Sequence, residues 1–467
     1  MPSPSCSDCM RQNRQFSRTL SIVLATLLCS IGARPAPAQS IGGNAELQAR
    51  VQTLEARTEA LQRELDSLRN GPIPLPPVGD TVPAGVSLDT MRAEMSKLTW
   101  KKGGFTITPY GRVVVSAVYE TERSYPGDII LWAQSPDVQG EDAFYVDAKT
   151  TRLGLKIGGP SPNCCPCAAL GACVEIDFQG QYLTHNKPGL LFRRGFIDMK
   201  DDDFYLLAGQ EWEVISPLYP GNLNYVPGSG VGNLGYRRAQ IRGDRYFKTP
   251  GGQKLSLQGS LNMDILQDFT TDTSVQADVA GWPVLEGRAA WQFARGLTEG
   301  AKPAEIGASA HIGEVVYDFL APNPNPADDV TRRTWSFNVD VNVPITERLS
   351  FRSEFFTGEN LSAYMGGILQ GVDKQTRRSI RSTGGWFDFG YKWTPRLRSY
   401  AGYSIDDPFD QDLTSGRTYN HFYFANLLYD VTDKFMVGVD VSSWKTLWID
   451  RRPGDLVRFD FQAQYNF

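Results

Sequence analysis

The chain has 467 residues, 41% of them hydrophobic and 21% charged, with a formal net charge of -5 and a mean hydropathy of -0.31. Length alone points to two or three ordinary domains, but no apolar run of about 18 residues occurs, which excludes a good transmembrane helix. Setting aside residues 1–38, with four Arg and one Asp, leaves the rest at -8, a balance that gives no support to a nucleic-acid partner.

Residues 1–38 read as a secretory signal peptide. Arg11, Arg14 and Arg18 form its basic region, TLSIVLATLLCSIG (19–32) an apolar core too short to span, and Ala36-Pro37-Ala38 a small-x-small cleavage site. Residues 39–70 form a coiled-coil oligomerisation segment. Leu47, Leu54, Leu61 and Leu68 recur every seventh residue at d, and Val51, Thr58 and Leu65 fit a. Arg50 at g faces Glu55 at e of a neighbouring helix, and Glu64 at g faces Arg69 at e, as a parallel oligomer requires. Thr58 in the core leaves dimer or trimer open, and a lone amphipathic helix is the alternative. Residues 71–103 are a Pro-rich linker, GPIPLPPVGDTVPAG, followed by a short helical stretch near 88–99.

From Phe105 onward helical periodicity stops and alternation with period two takes over, so 104–467 is expected to be all-β. Three tight turns share a spelling of Thr-x-basic-apolar: Thr346, Arg348 and Leu349; Thr394, Arg396 and Leu397; Thr432, Lys434 and Phe435. The connections at the other end are far longer, for example 358–383. Short turns opposite long loops are the signature of an outer-membrane barrel. Counting up and down gives sixteen strands, from 105–120 to 455–467, with the third at 172–186 and the eighth at 282–295: a 16-stranded antiparallel transmembrane β-barrel. In the last strand Val457, Phe459, Phe461, Ala463, Tyr465 and Phe467 oppose Arg458, Asp460, Gln462, Gln464 and Asn466. Full charges facing inward are costly in a small dry barrel and unremarkable in a wide wet one, so one face is read as meeting lipid and the other a water-filled lumen. Phe467 then serves as the terminal signal for barrel-assembly machinery.

Cys164, Cys165, Cys167 and Cys173 crowd one segment, SPNCCPCAALGAC. In an oxidising compartment the expectation is two disulfides; a zinc site is the alternative, disfavoured by the spacing and the lack of a nearby His. Alternation places Arg152 and Lys156, then Arg238, Gln240 and Arg242, then Arg352 and Arg398 on the lumen side. The face of Arg193 and Arg194 is ambiguous. Glu211 and Glu213 stand where a long neutral loop, 213–235, leaves the fifth strand. As the third long loop it is expected to fold inward as a constriction. Such an Arg-rich lumen favours anionic solutes such as small carboxylates if the guanidiniums are open; if they pair with acids, they only hold the wall together.

The stretches TRLGLKIGG (151–159), LLAGQEW (206–212), GYRRAQIRG (235–243) and QYNF (464–467), in the order signal, coiled coil, linker and barrel, resemble Gram-negative trimeric porins, most closely the DcaP-like group. The resemblance implies a homotrimer in the bacterial outer membrane, its coiled coil in the periplasm and each barrel a separate pore for small hydrophilic solutes. The Cys-rich turn departs from that pattern. An enzyme on a barrel is disfavoured, because His185, His311 and His421 sit in no recognisable triad; no cofactor is called for. A structural anchor that tethers the envelope through the coiled coil is the alternative function.

Overall fold

Period-two alternation becomes strand wherever each face has its own solvent. The computed structural model describes residues 99–163, 165–180, 188–265, 275–278, 280–319 and 329–467. The signal peptide, the coiled coil, the linker with its short helix up to residue 98, Cys164 and His185 lie outside the described residues.

Sixteen antiparallel strands form one closed sheet. They are β1 Phe105–Glu120, β2 Ala143–Asp147 continued by Arg152–Gly159, β3 Ala169–Asp177, β4 Leu191–Lys200, β5 Phe204–Trp212, β6 Arg237–Lys248, β7 Lys254–Asn262 and β8 Val275–Asp278 continued by Val284–Gln292. There follow β9 Glu305–Phe319, β10 Val330–Pro344, β11 Leu349–Glu359, β12 Arg381–Lys392, β13 Leu397–Pro408, β14 Arg417–Asp430, β15 Phe435–Trp448 and β16 Gly454–Asn466. Each pairs with the next. The seam closes where β16 pairs with β1, from Arg112 opposite Asn466 to Glu120 opposite Arg458. Phe467 extends the seam: its N–H donates to Gly111 O at 3.1 Å, and the Gly111 N–H to Phe467 O at 3.2 Å. Closure leaves no unpaired edge, the condition for a sheet in hydrocarbon. The third strand ends nine residues before the sequence-based bound of 186, and the eighth is interrupted at 280–283.

The two faces are inverted relative to a soluble barrel. Outside, Phe144, Ile197, Ile241, Phe337, Phe389, Val439 and Phe461 are exposed, while inside Asp177, Arg238, Glu354, Asp388 and Arg458 are buried. That partition suits an apolar solvent around the wall. The shared turn spelling has a local cause. Thr346 Oγ1 accepts the N–H groups of Arg348 and Leu349 at 3.1 and 2.9 Å, and Thr394 and Thr432 do the same for their own second and third neighbours. Thr satisfies two amides at the end of each hairpin without a further residue.

Candidate pore and its inward loops

The buried apolar clusters are found where long loops enter the barrel. The first loop (L1, 121–142), the third (L3, 213–236) and the sixth (L6, 360–380) all turn inward. Ile130 and Ala133 of L1 and Val231 of L3 pack on Phe422, Phe424, Trp444 and Leu456 of β14 to β16. Val214, Ile215 and Leu234 of L3 pack with Leu361 and Tyr364 of L6 on Val284 and Phe356. Leu131 and Trp132 of L1 meet Met365, Ile368 and Leu369 of L6. Burying apolar side chains between loop and wall holds these segments inside an otherwise polar lumen.

L3 is fixed by its backbone. The N–H of Val214 donates to Glu286 on β8 at 3.2 Å, that of Leu218 to Glu354 on β11 at 2.7 Å, that of Gly221 to Asp388 on β12 at 2.8 Å and that of Leu223 to Asp440 on β15 at 3.2 Å. Carboxylates from four strands thus satisfy amides that a loop without secondary structure would otherwise leave buried and unpaired. Later in L3, Ser404 Oγ donates to Val231 O. Gly232, with φ +117°, lies so close to the wall that a Cβ would stand 2.4 Å from Gly385 O; only glycine permits both that conformation and that approach.

The residues read from the sequence as lumen-facing alternate with the exposed apolar side chains of their strands, and most are paired. Arg194 Nε donates to Glu211 at 2.9 Å. Arg238 binds Glu213 and reaches Asp264 at 3.0 Å and Ala363 O at 2.7 Å, with its guanidinium 3.9 Å over the Tyr364 ring. Gln240 Nε2 donates to Glu211 O at 2.9 Å. Arg242 binds Asp244 at 2.8 and 2.9 Å, Arg352 binds Asp388 at 3.0 and 2.5 Å, and Arg398 binds Asp430. These pairs brace the wall.

The exception is a patch on β1 to β4. Arg112 and Arg152 stand directly opposite each other in register. Arg152 Nε lies 3.5 Å from Glu175, and the Lys156 ammonium sits 4.8 Å over the Tyr110 ring. Arg112 reaches Gln464 at 3.3 Å but forms no ion pair among the described residues, and its Nε is buried without a partner. Arg193 donates to Glu175 at 3.0 Å and Asp177 at 2.5 Å. Arg152 and Arg193 therefore share Glu175 and Asp177, and Arg112 and Lys156 stand beside them with no carboxylate of their own among the described residues. The ambiguity over Arg193 and Arg194 is resolved by a β-bulge: β3 pairs Glu175 with Arg194 and then Ile176 with Phe192, skipping Arg193, so both guanidiniums point into the lumen.

Sequence reasoning missed Arg112 and Arg237. Arg237 is buried between Trp212, 4.7 Å from its guanidinium, and Tyr236, at 4.4 Å; it forms no ion pair among the described residues. The two-disulfide expectation is corrected at Cys173, which is a free thiol on the lumen side of β3, 3.3 Å from the Tyr110 hydroxyl. In a strand its Sγ points across the sheet to β1, away from the turn that holds Cys165 and Cys167.

Compared with solved structures, the chain is similar to the outer membrane channel DcaP of Acinetobacter baumannii at 20% identity and a TM-score of 0.63, over 79% of this chain and 99% of that one. The chain has the fold of a porin. This porin fold is shared more distantly with outer-membrane expressed OmpT of Vibrio cholerae, at 10% identity and a TM-score of 0.50 over 79% of this chain and 100% of that one. It is shared equally with OmpF of Salmonella typhi, at 12% identity and 0.50 over 79% and 100%. No protein-family model matches the chain, and no curated protein matches it.

Proposed function

We propose that the protein is an outer-membrane porin, a passive diffusion channel for small hydrophilic solutes that prefers anions. One observation carries the preference. On the lumen side of β1 to β4, Lys156, Arg152, Arg112 and Arg193 gather around Glu175 and Asp177, beside a loop whose one charged residue over 213–235 is Glu213. Cations in excess of carboxylates, next to a neutral loop, raise the local anion concentration. Arg194, Arg238, Arg242, Arg352 and Arg398 are neutralised in pairs and add little to selectivity.

The same proposal sets the apolar outer wall in lipid, joins the chains into a homotrimer through a periplasmic coiled coil at 39–70, and gives Phe467 to the barrel-assembly machinery. The test is the zero-current potential in a potassium chloride gradient. Anion preference is expected in the wild type, and Arg112→Gln with Arg152→Gln is expected to move the potential toward zero. Cation preference in the wild type would overturn the anionic reading. Deleting residues 40–100 separates the tethering alternative: permeability that survives while envelope attachment fails would make the anchor the main role.

A further inference from the structure

We propose that Tyr225 is the specificity-determining residue for solute size, a crossbar that carries the tip of L3 across the sector of the lumen facing β16, β1 and β2; the proposal rests on the channel reading above. Up to Leu223, L3 follows the wall, clasped in turn by β8, β11, β12 and β15. Asn224 then ties the tip to L1, its Nδ2 donating to Ile130 O at 2.8 Å. The next residue leaves that side of the barrel. The Tyr225 hydroxyl donates to Asp177 on β3 at 2.8 Å and accepts from Arg193 Nη1 on β4 at 2.7 Å, and the Arg193 guanidinium lies 5.5 Å from the ring.

Asp440 on β15 and Asp177 on β3 are separated by β16, β1 and β2. Four interstrand steps make roughly 19 Å of wall, and the L3 tip with this one phenol is the chord across it. Between chord and wall lies L1, held by Arg458, whose Nη1 and Nη2 donate to Gly127 O and Asp128 O at 2.9 Å; what is left is a cavity of about 20 Å³ lined among others by Asp128, Ile129, Leu223, Tyr225 and Gln462, room for about one water. A solute travelling along β16, β1 and β2 meets L1 and the phenol together, and the phenol is the part of that barrier held to β3 and β4 by its hydroxyl. Asp177 and Arg193 also terminate the cationic patch, so the bar lies across the path along which the excess cations draw anions.

The test uses the full-length protein in planar bilayers and in liposomes swollen with sugars of graded size, with barrel folding checked by heat-modifiable migration. Tyr225→Ala is expected to raise single-channel conductance about twofold and to admit larger sugars, since pore diameter limits both. Tyr225→Phe, which keeps the ring and loses the two hydrogen bonds, is expected to raise both by less. Tyr219→Ala serves as control, because Tyr219 of L3 packs on Trp212 at the end of β5 and hydrogen-bonds neither Asp177 nor Arg193. Unchanged conductance and size limit in a folded Tyr225→Ala barrel would overturn the proposal while leaving the channel reading intact. So would an equal rise in Tyr219→Ala, which would assign the effect to general loosening of L3. Silence of wild type and variants alike would sink the channel reading and the crossbar with it.

Discussion

Replacing Arg238 by Met removes the cation that joins L3, L6 and the wall. Its side chain is fully buried. It holds Glu213 at the start of L3, Asp264 beyond β7 and the Ala363 carbonyl of L6, and lies against the Tyr364 ring. His311 stacks on that ring with centroids 3.8 Å apart and is itself bonded to Ser336 and Thr334. Met fills a similar volume but leaves Glu213 and Asp264 buried without their cation. Breaking a buried pair in this way costs about 3–5 kcal/mol, or roughly two to four powers of ten in the ratio of folded to unfolded protein. Equilibrium unfolding in urea from detergent micelles, followed by tryptophan fluorescence, reads the loss as a lower midpoint at unchanged slope. Adding Glu213→Gln and Asp264→Asn to the same chain is expected to restore most of the midpoint, since the penalty comes from orphaned charge and not from the lost side chain. A loss below about 1 kcal/mol in Arg238→Met alone would refute the reasoning.

Phe461 and Gln462 are neighbours on β16 with opposite solvents: Arg at Phe461 is expected to cost about 2–4 kcal/mol of folding free energy into lipid, and Arg at Gln462 far less, measured as unfolding free energy in the same vesicles. Asp373 sits in L6 outside the wall; burial pushes its carboxyl up, but hydrogen bonds from Thr414 and Thr376 outweigh that and hold it below the ordinary carboxylate value. A depressed folded value means the L6 contact to Thr414 is fully present above about pH 3.9 and is lost as pH falls through the folded value. A spin label at the exposed Gln375 is expected to stay immobile at neutral pH and to gain mobility only in strong acid, and Asp373→Asn is expected to abolish that transition.

The barrel was legible in the sequence because lipid and water each impose their preference on every second residue, and because Thr346, Thr394 and Thr432 mark three tight turns with one chemistry. Inward folding of L3 followed from its place and length. L1 and L6 were not recognised as inward segments, although the runs Ile129–Ala133 and Ala363–Leu369 are apolar stretches inside loops, a signal that something must cover them. The pairing of the lumen arginines was not legible. Arg352 faces Asp388 across β11 and β12, and Arg112 faces Arg152 across β1 and β2, but strand register is set by turns and closure of the whole sheet. One residue of bulge at Arg193 was enough to reverse the face of its neighbour.

Water filling a closed sheet whose outside is wetted by hydrocarbon is the central claim. Single-channel recording of the purified wild-type barrel in a planar bilayer tests this most directly. Discrete, ohmic conductance steps are expected on insertion. A barrel that is folded and inserted, yet passes no current at any voltage or salt concentration, would contradict it.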